Sequence, residues 1–490
     1  MIINVTENRF KKYTLPENMA KLVLYDSVSH MWAHSVSEYA DLTAIDDDRE
    51  YTYAELDKDA AALRGVLADK GIARGDNVGI YIPNSYGFVK AYIAVQTMGC
   101  VAVLLPAHLD DKSVYGCSLK YNLKAVIYGD AFEEKVTFTS ENNPSVKLIK
   151  ASAVSETVTE ICYSAPTDDS TVIFTGGTTG KNKGALLSHK AVMRGVLNGC
   201  YGYEDVFCQK YLLVLPLTHV FGLIRNLMTP LYCGCTIHIC RNPKDMFREM
   251  TAFNPNVLVL VPALAEMILN ISKQFGKPMY GNALKYIICG ASAVPPYLLA
   301  EYAKIGVTMF PGYGLTESAN LVSGNPETVT KPDSVGIPYP GQQLQIVDGE
   351  LWLKGDNMMT RYYGEDEENA KAYNDGWFMT GDLVRIDEDG FLYITGRKKD
   401  VIVLSTGENI SPEEVENAFC KLDILTDAMV YQDSINGREI LTLEVFPRAG
   451  ELSSVKPEDR EEYIRKQLGE INQTLPMFMR VSKFVIRDTD

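Results

Sequence analysis

The chain has 490 residues and a mass of 54.4 kDa, beyond the length at which a single hydrophobic core keeps growing, so two or more domains are expected. Its 46% hydrophobic and 22% charged residues exclude a disordered, collagen-like or coiled-coil chain. A net charge of −16 argues against nucleic-acid binding, which needs a basic footprint, yet it leaves room for a local basic patch around a phosphorylated ligand.

The opening residues, Met1 to Phe10, lack the apolar middle of a secretory signal, and no run is apolar for long enough to form an integral membrane segment. Ten cysteines without a Cys-x-x-Cys pair read as reduced thiols of a cytoplasmic protein. Asn77 to Ile82 predicts a strand ended by Pro83-Asn84, and Ser85 to Met98 a helix with Phe88, Tyr92, Val95 and Met98 on one face. Val101 to Leu105 and Lys124 to Tyr128 follow as buried strands. Tyr211 to Leu215, Val257 to Val261 and Lys285 to Ile288 read the same way, each leading into a helical stretch. Cys233, Cys235, His238 and Cys240 lack metal-ligand spacing, and Thr236 to Cys240 reads as a strand after a turn at Gly234. Strands alternating with helices imply mostly parallel sheets covered on both faces.

The pattern changes near Gly341. Short strands at Gly349 to Gly355, Trp377 to Thr380 and Phe391 to Ile394 mark a β-rich subdomain over about 341–396. A small α+β unit follows over 397–490. Its helix start is Ser411-Pro412-Glu413-Glu414, with Ser411 as N-cap and Glu414 closing a capping box. The expected fold is therefore α/β: a large N-terminal domain over 1–396 and a small C-terminal α+β domain.

Four stretches carry chemistry. In the first, an apolar strand from Thr171 runs into Thr175-Gly176-Gly177-Thr178-Thr179-Gly180-Lys181-Asn182-Lys183-Gly184. Glycines let backbone N–H groups converge on an anion, and the threonines and lysines add donors and charge. Asn182 stands where a Walker loop needs Ser or Thr, so this is not that motif. On composition alone a surface Gly/Thr loop is the alternative. The second is Phe310-Pro311-Gly312-Tyr313-Gly314-Leu315-Thr316-Glu317-Ser318, a hydroxyl beside a carboxylate that suits phosphate and Mg²⁺. The third is Thr380-Gly381-Asp382, an acceptor after a turn. The fourth is Gly396-Arg397-Lys398-Lys399-Asp400, a short basic run.

Together, in this order, the four resemble the adenylate-forming (AMP-binding) superfamily, closest in pattern to acyl-CoA synthetases. The resemblance runs from Tyr51-Thr52-Tyr53 to the last strand. Gly176 and Asn182 depart from the family's usual Ser and Pro in the first motif. The resemblance implies that Thr175, Gly176, Gly177, Thr178, Thr179, Gly180 and Lys183 hold the β- and γ-phosphates. Thr316 takes the α-phosphate, and Glu317 is the metal ligand for Mg²⁺. Asp382 and Arg397 hold the ribose. Gly290, Ala291, Ser292, Gly312, Tyr313 and Gly314 border adenine, with Tyr313 against the base. His219 sits near the substrate carboxylate, and Phe221, Gly222, Ala291, Gly314 and Leu321 line the acyl pocket. Leu223 and Val322 join the apolar residues suited to an aliphatic or aryl chain. Thr218-His219 offers no carboxylate for an α-ammonium, which favours an acid without one. Lys399 is the hinge about which the small domain moves, and Gly407 lines the pantetheine tunnel.

The implied reaction is ATP-dependent activation of a small-molecule carboxylic acid as acyl-AMP, then thioester formation on coenzyme A. A phosphopantetheinyl acyl carrier protein is the second choice of acceptor. A non-catalytic nucleotide- or acyl-adenylate-binding homologue is the alternative from another class. The family places a catalytic lysine in a Gly-Lys segment after the last strand. The sequence reaches that strand at Lys483 to Arg487 and ends at Asp490. Lys483 precedes the strand and is not that lysine. Without it, adenylation by these residues is expected to be slower by roughly a hundred- to a thousandfold, while a preformed acyl-adenylate could still react.

Overall fold

The computed structural model describes residues 2–5, 7–175, 183–403, 409–435, 438–448, 450–453 and 455–487. Val-, Ile- and Leu-rich runs form short strands buried on both faces, as in Val101–Leu104 and Val257–Leu260. A strand covered on both sides gains from an apolar side chain at every position, so these runs do not alternate. Helices follow with their own start signals. Ser85 accepts from the Phe88 N–H ahead of Tyr86–Thr97, and Pro262 opens Pro262–Phe275.

A seven-stranded sheet has the spatial order Arg361–Tyr362, Lys183–Ser188, Asp169–Thr175, Val101–Leu104, Asn77–Tyr81, Leu123–Tyr128, Lys147–Lys150. The last five are parallel, and the first two join antiparallel to their neighbours. A nine-stranded sheet is parallel through its centre, where Thr308–Tyr313, Tyr286–Cys289, Val257–Leu260, Lys210–Leu213 and Thr236–Ile239 lie side by side. The expected β-rich section is an antiparallel sheet built on Gln342–Val347, Glu350–Gly355, Trp377–Ile386 and Leu392–Arg397, extended at its edge by the N-terminal strand Ile2–Val5. Among the described residues no group of His, Cys, Asp and Glu suits a metal; His238 is taken by Asp46 at 2.7 Å.

The C-terminal unit is a three-stranded sheet, Leu425–Ile435, Arg438–Pro447 and Lys483–Ile486, with helices Pro412–Phe419 and Arg460–Thr474. It has its own core, including Val415, Phe419, Leu443 and Leu468. The expected capping box at Ser411 does not form. The Ser411 hydroxyl instead donates to the Thr395 carbonyl at 2.6 Å. Gly396 lies against that hydroxyl with φ +147°, and a Cβ there would come within 1.9 Å of it. A tertiary bond has taken the side chain that local sequence assigned to the helix end. By contrast, Thr52 and Glu55 do close a capping box at the start of Tyr53–Asp69.

Parallel strands present their C-terminal ends together, and connecting loops there form crevices. Three such ends meet in this fold: Cys289 leading to Gly290, Tyr313 leading to Gly314, and Leu213 leading to His219.

Candidate active site

A cavity of about 750 Å³ opens at these strand ends. Although the chain is acidic, the cavity is lined by Lys183, Arg225, Lys371, Arg397, Lys398 and Lys399 against only Glu317 and Glu368. Six cations against two carboxylates make the lining basic in a chain that is acidic overall, which suits an anionic ligand.

The strand Thr308–Tyr313 runs into Gly314, then into one 3₁₀ turn, Thr316–Ser318. Ala319 and Asn320 follow in left-handed conformations, φ +48° and +83°. The chain thereby doubles back, and Ser323–Gly324 pairs antiparallel with Gly312 and Tyr313. The turn is so tight that a Cβ on Gly314 would lie 1.3 Å from the Asn320 carbonyl oxygen. Only glycine fits there. Thr316 is buried beside the cavity, and Glu317 lines it.

Glu317 is held from two sides. The Tyr362 hydroxyl donates to its Oε1 at 2.6 Å, and the Met359 N–H donates to its backbone oxygen at 2.7 Å. Burial and the adjacent carboxylate push the Tyr362 phenol well above its ordinary pKa, so it stays a donor. Lys183 pairs with Glu368 at 3.0 Å and lies over the Tyr362 ring at 4.6 Å. Thr175 and Lys183 are cross-strand partners, and both line the cavity. Gly176, Gly177, Thr178, Thr179 and Gly180 lie outside the described residues, as does Gly407.

Asp382 is 2% exposed and lies just behind the lining. The Tyr313 hydroxyl donates to its Oδ2 at 2.5 Å, and Arg397 Nε reaches its Oδ1 at 3.1 Å. Burial raises the Asp382 carboxyl above its ordinary value, opposed by Tyr313 and Arg397. Asp382 and Arg397 are cross-strand partners, so the ladder itself brings motifs three and four together. A second buried carboxylate, Glu350, accepts from the Gly381 N–H at 2.9 Å and pairs with Lys398 at 2.9 Å. It therefore ties the Thr-Gly-Asp turn to the basic run next to Lys399.

On the opposite side, Phe221–Met228 forms a π-helix, a rare wide turn associated with functional sites. Gly222 permits it: a Cβ there would meet the Pro216 carbonyl at 2.1 Å. His219 precedes the helix and opens into the cavity. Its Nδ1 accepts from the Phe221 N–H at 3.2 Å, which leaves the proton of the neutral ring on Nε2. The surrounding walls exclude enough water to lower its pKa. Phe221 and Arg225, one turn apart, both line the cavity. Phe10 closes that end, stacked on Tyr339 at 4.5 Å.

The cavity thus gathers Thr175, Lys183, His219, Phe221, Gly290, Ala291, Gly312, Tyr313, Gly314, Thr316, Glu317, Leu321, Arg397 and Lys399. Ser292 is exposed and outside it, because the chain turns away after Ala291, whose φ is +68°. Gly222 supports the wall from behind. Leu223 and Val322 do not line the cavity; both are fully buried in separate core clusters. Lys483, set aside from the sequence, pairs with Asp433 at 3.0 Å. Sequence reasoning missed Tyr362, Glu350, Glu368 and the aromatic end formed with Phe10 and Tyr339, none of which has a local signature. It also missed Arg225, for which a signal existed: a charged residue inside the apolar run Val220 to Met228.

Residues 32–363 match the family described as AMP-binding enzyme, and residues 399–489 match the AMP-binding enzyme C-terminal domain. The long-chain-fatty-acid–CoA ligase of Haemophilus influenzae is 28% identical over 457 residues, spanning 80% of this chain and 81% of that protein. The 2-succinylbenzoate–CoA ligase of a Geobacillus species is 27% identical over 408 residues, spanning 79% and 80%. In fold, the chain is similar to an anthranilate CoA ligase crystallised with anthranoyl-AMP, with TM-score 0.82, 19% identity and coverage of 96% and 94%. The chain belongs to the AMP-binding enzyme family.

Proposed function

We propose that this chain is an AMP-forming acid–thiol ligase that converts a carboxylic acid to its coenzyme A thioester. The observation that carries the reading is the one cavity lined by Thr316, Glu317, Lys183 and Arg397, the last paired with the buried Asp382, together with His219 and Phe221. The names of the two relatives given above, both CoA ligases, support coenzyme A as the acceptor.

In the first step a carboxylate oxygen bonds to the α-phosphorus of ATP and pyrophosphate leaves. In the second, a thiol sulfur bonds to the acyl carbon, the bond to AMP breaks, and the thiol proton is released. Thr316 and Lys183 donate to phosphate oxygens. Asp382 accepts from the ribose while Arg397 keeps it oriented. His219 Nε2–H donates to the acid, fixing it for in-line attack. Glu317 is the protein ligand for magnesium. One held carboxylate beside phosphates is a fitting donor set, since this ion takes few protein ligands and keeps phosphate oxygens and water. When bound, it would neutralise charge on the phosphates.

In this reading residues 1–396 form the body and 397–490 a domain that moves about Lys399. No described helix is long and apolar enough to cross a membrane, and all ten cysteines are free thiols. We place the enzyme in the cytoplasm on that thiol chemistry. The test is joint measurement of pyrophosphate release and thioester mass with Mg-ATP, coenzyme A and a panel of acids. ATP binding without pyrophosphate or thioester from any acid, with either acceptor, would favour a binding protein; thioester only on a carrier protein would reassign the acceptor.

A further inference from the structure

We infer that the acid taken by this site carries a second carboxylate, and that Arg225 binds it. The inference rests on the acid-activating reading and names its substrate class, a dicarboxylic acid.

Arg225 is 3% exposed, yet it lines the cavity. Among the described residues it forms no ion pair, and its one hydrogen bond is to the Tyr203 hydroxyl at 3.5 Å. That oxygen is already engaged by Tyr211 at 2.7 Å. A guanidinium carries five N–H donors and stays charged throughout the range in which proteins fold. Burying it without a counter-charge is unfavourable, and an apolar side chain of similar size would stabilise the fold more. Within the described residues its compensation is the face of the Tyr203 ring, 5.4 Å away, and that one long hydrogen bond, neither of which supplies a negative charge. The arginine lacks both acceptors and a negative charge, and a ligand in the cavity it lines can bring both.

The reacting carboxylate is not that ligand group. It must reach the α-phosphorus, on the side of Thr316 and Glu317, whereas Arg225 lies over the Tyr203 ring at the aromatic end closed by Phe10 and Tyr339. The π-helix makes this placement, putting Phe221 and Arg225 on the cavity side and Leu223 in the core.

The experiment uses acid pairs of equal length in which a methyl group replaces the second carboxylate: pentanoate with glutarate, hexanoate with adipate, 4-methylbenzoate with terephthalate. Thioester mass and pyrophosphate release are measured for the wild type, Arg225→Met and Arg225→Lys. Binding of each acid in the presence of AMP is measured by calorimetry, and ATP binding is measured separately. A charge-assisted contact in a buried site predicts a roughly ten- to hundredfold preference for the dicarboxylate in the best pair. Arg225→Met should collapse or invert that ratio, and Arg225→Lys should keep part of it. A wild type that prefers monocarboxylates overturns the inference. So does an Arg225→Met variant that weakens both members of a pair, or ATP, equally. Dicarboxylate-selective binding without thioester would uphold Arg225 and sink the ligase reading, while turnover of monocarboxylates alone would do the reverse. If Arg225→Met does not fold, the wild-type pairs and Arg225→Lys still decide.

Discussion

Tyr362→Phe isolates one hydrogen bond at the proposed metal ligand. The ring stays in place, because Tyr362 is buried and packs beneath Lys183, so only the bond from its hydroxyl to Glu317 at 2.6 Å is lost. Hydrogen bonds to charged groups are worth about 1.5–3 kcal/mol, equivalent to roughly a ten- to 150-fold change in kcat/KM. The lower end applies here. Glu317 is only partly buried, so water can replace the phenol, and its backbone remains fixed by the Met359 N–H. About tenfold is expected. Tyr362 acts through Glu317, so the loss should appear as a higher magnesium concentration at half-maximal pyrophosphate release. Glu317→Gln alone should lose more. The double variant should be no worse than Glu317→Gln, because both substitutions disable one unit. Additive losses, or an unchanged magnesium dependence in Tyr362→Phe, would refute the coupling.

Asp382→Asn keeps an acceptor for Tyr313 but removes the buried charge. It should raise the KM for ATP about tenfold or more, with little loss of thermal stability, because its partner Arg397 is 45% exposed and can turn to water. Equal KM values would exclude Asp382 from nucleotide binding. Gly314→Ala must displace the Asn320 carbonyl, so nucleotide binding by calorimetry should be lost and the melting temperature lowered; a variant that binds ATP normally would contradict the turn geometry. Burial lowers the pKa of His189 to about 4, against about 6.5 in an unfolded chain. The unfolded chain therefore binds the extra proton, and stability is lost as pH falls from about 6.5 towards 4, by roughly 3 kcal/mol over the full window. His189→Asn should flatten that limb of a melting-temperature profile, and a parallel profile would show that His189 is not its source.

Much of the architecture was legible in local sequence. Asn77–Tyr81 and Tyr86–Thr97 lie within a residue of their expected ends, because a Val- and Ile-rich run followed by Pro83-Asn84 and an Ser85 cap leaves few alternatives. The order of the four motifs likewise announced a phosphate-handling chain, since glycines at tight turns and hydroxyls beside carboxylates are constrained within a few residues. The Ser411 cap failed for the opposite reason: its hydroxyl had a competing acceptor, Thr395, sixteen residues away in sequence.

What sequence determined by itself was therefore the element types, the α/β then β-rich progression and the residues whose chemistry is local to a turn. Tertiary structure decided which of them face one another. It brought Tyr362 to Glu317 across 45 residues and Tyr313 to Asp382 across 69. It sent Leu223 and Val322 to the core while leaving Arg225 on the cavity. Backbone conformation follows from short-range sterics, which a short window of sequence contains. The burial and pairing of a side chain depend on what other elements bring to it, which only the folded chain specifies.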